Sequence, residues 1–537
     1  MRKLGLGALI AAALLGFAGA ARADVILDWN DVLLNAIRVD KTPPPKASRA
    51  MAIVNVSIYD AVNGILGGFT PYHVTDPAPA GASAEAAAAA AAHRALGALY
   101  PAQQATFDAA YAASLAAIPE GPAKITGVTW GEEVAAAILE LRANDGSGAT
   151  VPWEPPVGGG WWIPTPPAFA ASLLPNWPYV TPWAMTSGSQ FRQPAPPSPN
   201  AADYTTAFRE VKRLGRVDST SRTADQTQIA LFWADGAGTE TPPGHWITIA
   251  SGLSSQEGLS LRENARLFAL LSITVADAAI VSWDIKYAYN NWRPVTGIQH
   301  ADQDGNPDTE ADPSWLPLIA TPPFPSYSSG HSTFSGSSSR LLAHFFGTDD
   351  VAFSTVSDAL PGVTRSFTSF SQAAEEAGQS RIYGGIHWQF DNTAGLASGR
   401  ELADLVFFNF LTPVTTMSTC SPGPTTLCLN GGRFKVETQW NTGSGSGPGH
   451  AESLGDDSGR FWFFASDNTE VVVKVLNACS GFDRYWVFAS GLTNVEVLIT
   501  VTDTGTGLVR RYFNPQGKAF APVQDVDAFA TCFGGGS

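Results

Sequence analysis

The chain has 537 residues, 45% of them hydrophobic and only 15% charged, with 32 Lys and Arg against 48 Asp and Glu for a formal net charge of −16. That length predicts two or more domains and a large core, and the acidic balance excludes a basic nucleic-acid footprint and a polybasic membrane-surface protein. Abundant Gly (52), Pro (38) and Trp (16) predict many loops held by aromatic packing.

In chain order, Arg2 and Lys3, an apolar run over 4–17 and Ala21-Arg22-Ala23 before Asp24 predict a signal peptide over residues 1–23, cleaved after Ala23, and a secreted or periplasmic protein. Its removal takes away three basic residues and no acid, moving the net charge to −19. Residues 82–118 are Ala-rich and broken near Pro101, which predicts two helices. Further helices are expected over 125–144 and 256–292. The most apolar stretch, 267–283, contains Asp277, so it reads as a buried core helix and no integral membrane association is expected. Residues 151–199, rich in Pro, Gly and Trp, exclude regular helix; they form either a wall or lid of a pocket or an ordered wrap. His245, in a Pro-Pro-Gly-His-Trp segment, either lines a pocket or packs as a loop histidine.

Three segments carry chemistry. In the first, seven residues separate Lys286 from Arg293, close to two helical turns, which places both cations on one helix face with Trp283 on the same side and Pro294 ending the helix. In the second, Ser329-Gly330-His331 opens a helical pattern through His344; free N–H groups and the dipole at a helix N-terminus favour an anion, and His331 can act as acid or base. In the third, Arg381 offers a bidentate fork, and His387 and Asp391 stand four apart on one helix face, where the carboxylate would orient the imidazole. Together they make a tetrahedral-oxyanion site with a nucleophile or ligand and no carboxylate cluster for a divalent metal. Asp302, Asp304, Asn306, Asp308 and Glu310 space oxygens like a calcium loop, but Gly305 falls at the fourth position rather than the sixth, so a solvated turn is the better reading.

The texture changes near residue 415. Short β-branched and aromatic runs at 461–464, 471–476, 485–488, 495–501 and 508–513 alternate with turn residues, which predicts a small β-sandwich over 416–537 after a mainly α-helical catalytic domain over 24–415. Residues 443–449 read as a flexible loop. All four cysteines (Cys420, Cys428, Cys479, Cys532) lie in this last part, which predicts one or two disulfides whose pairing sequence cannot choose.

The order Lys-x6-Arg-Pro, Ser-Gly-His, Ser-Arg-x5-His-x3-Asp resembles the signature shared by vanadium-dependent haloperoxidases and type 2 phosphatidic acid phosphatases, over roughly residues 231–391. Ser328 stands where the family often has Pro. The resemblance implies that Lys286, Arg293, Ser329, Gly330 and Arg381 bind the equatorial oxygens of vanadate or phosphate. It makes His387 the axial vanadium ligand, or the phosphorylated nucleophile of a phosphatase, with His331 as acid/base and Asp391 orienting His387. Asp235, a looser match, would pair with Arg381. Trp283 and Phe324 match the halide-side residues of the chloroperoxidase-like branch. The resemblance thus implies a vanadate cofactor, with hydrogen peroxide and halide as substrates and hypohalous acid as product; Lys286 would polarise the oxygen that halide attacks. The alternative is a secreted acid phosphatase acting on small phosphate esters through phosphohistidine. A third reading makes the helical domain vestigial and the β domain a surface or glycan binder, against which all motif residues are intact.

Overall fold

The computed structural model describes residues 24–156, 158–414 and 419–532; residues 1–23, expected to be a signal peptide, lie outside the described residues. The first part is helical: α1 (Val25–Asp40), α2 (Pro44–Leu66), α3 (Ala84–Leu99), α4 (Gln104–Ala116), α5 (Pro122–Leu141), α6 (Ala202–Leu214), α7 (Ala224–Phe232), α8 (Thr241–Glu257), α9 (Leu261–Tyr289), α10 (Pro294–Gln299), α11 (Gly330–Phe346), α12 (Phe370–Tyr383) and α13 (Gln389–Asn409). A two-stranded hairpin, β1 (Phe353–Val356) and β2 (Thr364–Phe367), sits between α11 and α12.

The axis of this bundle is α9. It starts at a reciprocal cap, with Glu263 N donating to Ser260 Oγ at 3.4 Å and Ser260 N to the Glu263 carboxylate at 2.8 Å. It ends at Asn290, left-handed at φ 47°. It is long and apolar enough to cross a membrane, yet almost wholly buried. Leu267, Phe268, Leu270, Leu271, Ile273 and Val275 are among its residues in the main core, where each fully buried aliphatic or aromatic side chain contributes about 1.5–3 kcal/mol. α2, α11 and α13 pack against it.

The described residues of 151–199 form a strap along α9 that includes a short 3-10 turn, Trp177–Tyr179. Asp277 accepts the N–H groups of Trp183 (2.7 Å), Ala184 (2.8 Å) and Met185 (3.0 Å), and Arg192 grips Asp284 through two bonds of 2.7 and 2.8 Å. The polar interruption of the apolar stretch is therefore an anchor. Burial pushes Asp277 up to about 6, against those three donors. An unfolded aspartate titrates near 4, so the folded chain takes the proton first, and lowering the pH from about 6 to about 4 favours folding through this group by up to roughly 3 kcal/mol. Asp277→Asn should remove that part of the slope; thermal midpoints of both proteins between pH 4 and 7 test this, and parallel curves would rule it out.

The strand-rich part holds β3 (Leu427–Leu429), β4 (Phe434–Asn441), β5 (Ser446–Pro448), β6 (His450–Ser453), β7 (Ser458–Trp462), β8 (Val471–Asn477), β9 (Tyr485–Gly491), β10 (Glu496–Asp503), β11 (Val509–Asn514) and β12 (Val523–Phe529). They make two five-stranded antiparallel sheets, ordered β11-β10-β4-β3 with β5 beside β4, and β12-β9-β8-β7-β6. Alternating residues of both sheets, among them Phe434, Val436, Val473, Val487 and Ile499, share one core. Residues 443–449 are not a free loop: Thr442 N donates to Gly445 O at 2.8 Å with Gly443 at φ 79°, a tight turn that folds β5 back onto β4. Disulfides join Cys420 to Cys428 and Cys479 to Cys532. Phe513 of β11 stacks on Phe408 of α13 at 5.1 Å, with the Arg340 guanidinium of α11 over its ring at 5.1 Å.

Candidate active site

The site forms where helices end. Arg293 is not on the helix that carries Lys286, contrary to the spacing argument. Asn290 closes α9, and Pro294, whose ring suits a first helical turn, opens α10 with Arg293 as its N-cap residue. His387 likewise precedes its helix: Trp388 is the N-cap residue of α13 and Asp391 lies in its first turn. Ser329 caps α11 as expected, its Oγ accepting from Ser332 N at 3.3 Å, which leaves its own O–H and the first-turn amides of Gly330 and His331 free to face an anion. Arg381 comes from the last turn of α12.

The side chains converge all the same. Arg293 Nη1 donates to His387 Nε2 at 3.0 Å and to the Ile386 carbonyl at 2.8 Å, while Nε donates to the Phe324 carbonyl at 2.8 Å. That donation makes Nε2 the acceptor, so the imidazole proton sits on Nδ1, 2.7 Å from Asp391 Oδ2. Asp391 is held in turn by Ser326 Oγ at 2.5 Å and Trp388 N at 3.1 Å. Lys286 Nζ donates to the carbonyls of Pro325 (3.1 Å), Ser326 (3.0 Å) and Ser328. All three ammonium protons are thus spent on the main chain, so Lys286 offers positive charge and loop order, not the free donor to an oxygen that the resemblance implies.

Trp283 and Phe324 stand side by side with centroids 4.9 Å apart, and Phe324 lies under Lys286 Nζ (5.0 Å) and the Arg293 guanidinium (4.8 Å). The strap backs this wall: the Leu173 carbonyl accepts Trp283 Nε1 at 3.1 Å and Tyr287 Oη at 2.8 Å, and Leu173 N donates to the Pro323 carbonyl at 2.9 Å. The strap is both an ordered wrap and part of a wall. A Cβ at Gly330 would lie 3.7 Å from Ser282 Oγ and from the Trp283 ring, so glycine keeps that space open.

Burial governs the charges. It pulls Arg293 down to about 9 and Arg381 to about 10, and Lys286 well below the ordinary amine range with help from Arg293. His387, buried beside Arg293 and Lys286, and His331, buried near Arg381, both fall well below the imidazole range. Asp391 is pushed up to about 6 by burial, opposed by its hydrogen bonds to Ser326 and Trp388 and by Lys286 and Arg293. Two buried guanidiniums, a buried lysine and two buried imidazoles thus face few carboxylates, an arrangement that favours an added negative charge.

Asp235 corrects another expectation. Its Oδ2 meets His245 Nδ1 at 3.2 Å, while Arg381 sends Nη1 to the Trp233 carbonyl at 2.7 Å; Asp235 favours the charge of Arg381 only through space. His245 lies on α8, not in a loop. The calcium-like run uses its oxygens internally: Asp304 accepts Asn306 N (2.7 Å) and Thr309 Oγ1 (2.7 Å), and Asn306 accepts Asp308 N (2.9 Å).

Several buried polar atoms here lack a partner among the described residues: Arg293 Nη2, Arg381 Nε, His331 Nε2, Ser328 Oγ and Ser282 Oγ, along with the acceptors Asp391 Oδ1 and Asp235 Oδ1. Unmet buried donors are costly unless something fills them, and this set suits a tetrahedral oxyanion such as vanadate or phosphate. Ser282 and the backing role of Ser326 were not legible in sequence, because isolated serines and main-chain carbonyls carry no pattern. Helix ends, free donors and buried cations together give a helical-bundle protein whose converging groups suit an oxyanion.

Comparison with known proteins agrees. Residues 266–414 match the family model described as the VCPO second helical-bundle domain. The vanadium chloroperoxidase of Curvularia inaequalis is 30% identical over 486 residues, covering 69% of this chain and 79% of that protein. The crystal structure of the first bacterial vanadium-dependent iodoperoxidase superposes with a TM-score of 0.63 at 30% identity, covering 71% of this chain and 95% of that one. A holo-type bacterial vanadium-dependent chloroperoxidase shares the fold at a TM-score of 0.55 and 16% identity, covering 68% and 92%. The chain belongs to the vanadium-dependent haloperoxidase family.

Proposed function

We propose that this protein is a vanadate-dependent haloperoxidase that oxidises halide with hydrogen peroxide to hypohalous acid. The observation that carries the reading is the set of unpartnered buried donors beside a lone-pair nitrogen of His387 and an apolar wall. His387 Nε2 would hold vanadate, which when bound would supply Lewis-acid activation of peroxide with no change of metal oxidation state. Arg293 Nη2, Arg381 Nε, Ser329 Oγ and the amide of Gly330 would hold its oxygens, and Lys286 would add charge.

Asp391, by accepting the Nδ1–H hydrogen bond, fixes the tautomer that leaves the Nε2 lone pair, met here by Arg293 Nη1, as the ligand atom. Halide, peroxide and one proton give hypohalous acid and water, and His331 Nε2 is placed to carry that proton. The Trp283–Phe324 wall excludes water and suits a weakly hydrated halide better than a phosphate ester, which favours oxidation over hydrolysis. Secretion to the periplasm or medium, and a C-terminal β-sandwich accessory domain over 416–537, complete the reading; two sheets around one core and two disulfides support the latter.

A paired assay tests it. Vanadate-loaded protein is expected to halogenate monochlorodimedone in a halide- and peroxide-dependent way, and apo-protein to do so far less. Hydrolysis of p-nitrophenyl phosphate by apo-protein, with no halogenation after loading, would replace this reading with the phosphatase one.

A further inference from the structure

His245 is a buried imidazole that the proposed chemistry does not use, although it touches the segment that holds the site together. Its Nδ1 lies 3.2 Å from Asp235 Oδ2, its Nε2 lies 3.2 Å from Thr355 Oγ1, and its ring stacks on Trp233 with centroids 4.5 Å apart. The three residues Trp233, Ala234 and Asp235 form a rung between α7 and the site. The Trp233 carbonyl accepts Arg381 Nη1 at 2.7 Å, the Trp233 indole donates to Glu376 of α12 at 3.0 Å, and the backbone of Trp233 and Ala234 favours the charged form of the nearby His331. Asp235 adopts φ 42°, a left-handed conformation that aspartate tolerates better than most side chains do.

We infer that His245 is a positioning residue for the oxyanion site: by engaging Asp235 and stacking on Trp233 it fixes the rung that aims Arg381 and His331. Two facts support this beyond contact. With Asp235 Oδ2 turned to His245, Arg381 keeps Nε free and buried, available to the oxyanion rather than neutralised by a carboxylate. Burial works against a charged imidazole, yet Asp235, Glu240 and Asp358 outweigh it and hold His245 above its ordinary value, so the pair carries its own charge balance. The inference rests on the oxyanion-site reading but not on the halide chemistry.

The test measures binding of inorganic phosphate and of vanadate to the full chain by calorimetry, well below the thermal midpoint. His245→Phe keeps a ring against Trp233 and removes both polar contacts; it should weaken binding of either anion by about 10–100-fold, the usual effect of losing an outer-shell partner. His245→Asn restores a donor to Asp235 and should recover most of that loss. Thr355→Val, which removes only the Nε2 contact, should bind as the wild type does. If His245→Phe does not fold, Asp235→Asn removes the charge of the same pair at nearly constant volume and should weaken binding in the same direction. A folded His245→Phe or Asp235→Asn protein that binds phosphate like the wild type, with only its thermal midpoint lowered, would overturn the inference in favour of plain packing. Wild-type protein that binds phosphate but halogenates nothing refutes the haloperoxidase reading and leaves this ratio intact; wild-type protein that binds neither anion refutes both.

Discussion

His387→Ala is expected to lose vanadate and phosphate unequally. Vanadate would lose a coordination bond through Nε2, whereas phosphate at rest loses only a neighbour of Arg293. Vanadate affinity should therefore fall by well over the roughly 10–100-fold that removal of an outer partner costs, and phosphate affinity by about 10-fold or less. Halogenation should vanish with vanadate binding. The fold should survive, because Asp391 keeps Ser326 Oγ and Trp388 N, and Arg293 keeps two carbonyls. Vanadium-51 resonance and calorimetric titration give the two affinities, and circular dichroism checks the fold. Equal losses for the two anions would mean that His387 is only a wall of the pocket.

Lys286→Met makes a prediction whose sign separates two roles. Were Lys286 simply a ligand for the anion, replacing a buried cation among Arg293 and Arg381 with an apolar chain should stabilise the apo-protein, as removal of buried charge often does. Its ammonium instead satisfies the carbonyls of Pro325, Ser326 and Ser328, which precede the Ser329 cap. Losing it leaves three buried acceptors unmet at about 1–3 kcal/mol each. The apo-protein should melt at a lower temperature, by several degrees, and anion binding should weaken because the 325–329 loop no longer presents Ser329 and Gly330 in register. A higher midpoint in the apo-variant would return Lys286 to the role of a plain ligand.

These outcomes follow from features unequally visible in the chain. Residue types and their order marked Lys286, Arg293, Ser329, His331, Arg381, His387 and Asp391 as a candidate oxyanion site, because cations and imidazoles in three such motifs stand out in an otherwise charge-poor chain. The α9 core helix, the break near Pro101 and the non-helical strap were equally plain, since apolar runs, caps and prolines act locally. The helix registers of Arg293 and His387 were misjudged for a local reason: a left-handed Asn290 and the cap at Trp388 ended or delayed helices that periodicity alone would extend.

What the sequence determined by itself is the chemistry available: an acidic, charge-poor chain in which Lys286, Arg293 and Arg381 stand beside serine and histidine motifs, and a cysteine-bearing, strand-rich end. What only the tertiary structure decided is where each proton and each carbonyl goes. Lys286 turns to three main-chain acceptors, Asp235 turns to His245 rather than to Arg381, and Leu173 in the strap braces Trp283 across a long stretch of chain. Hydrogen bonds to backbone carbonyls leave no trace in residue identity, and partners far apart in the chain meet only when the core packs, so those assignments belong to the fold.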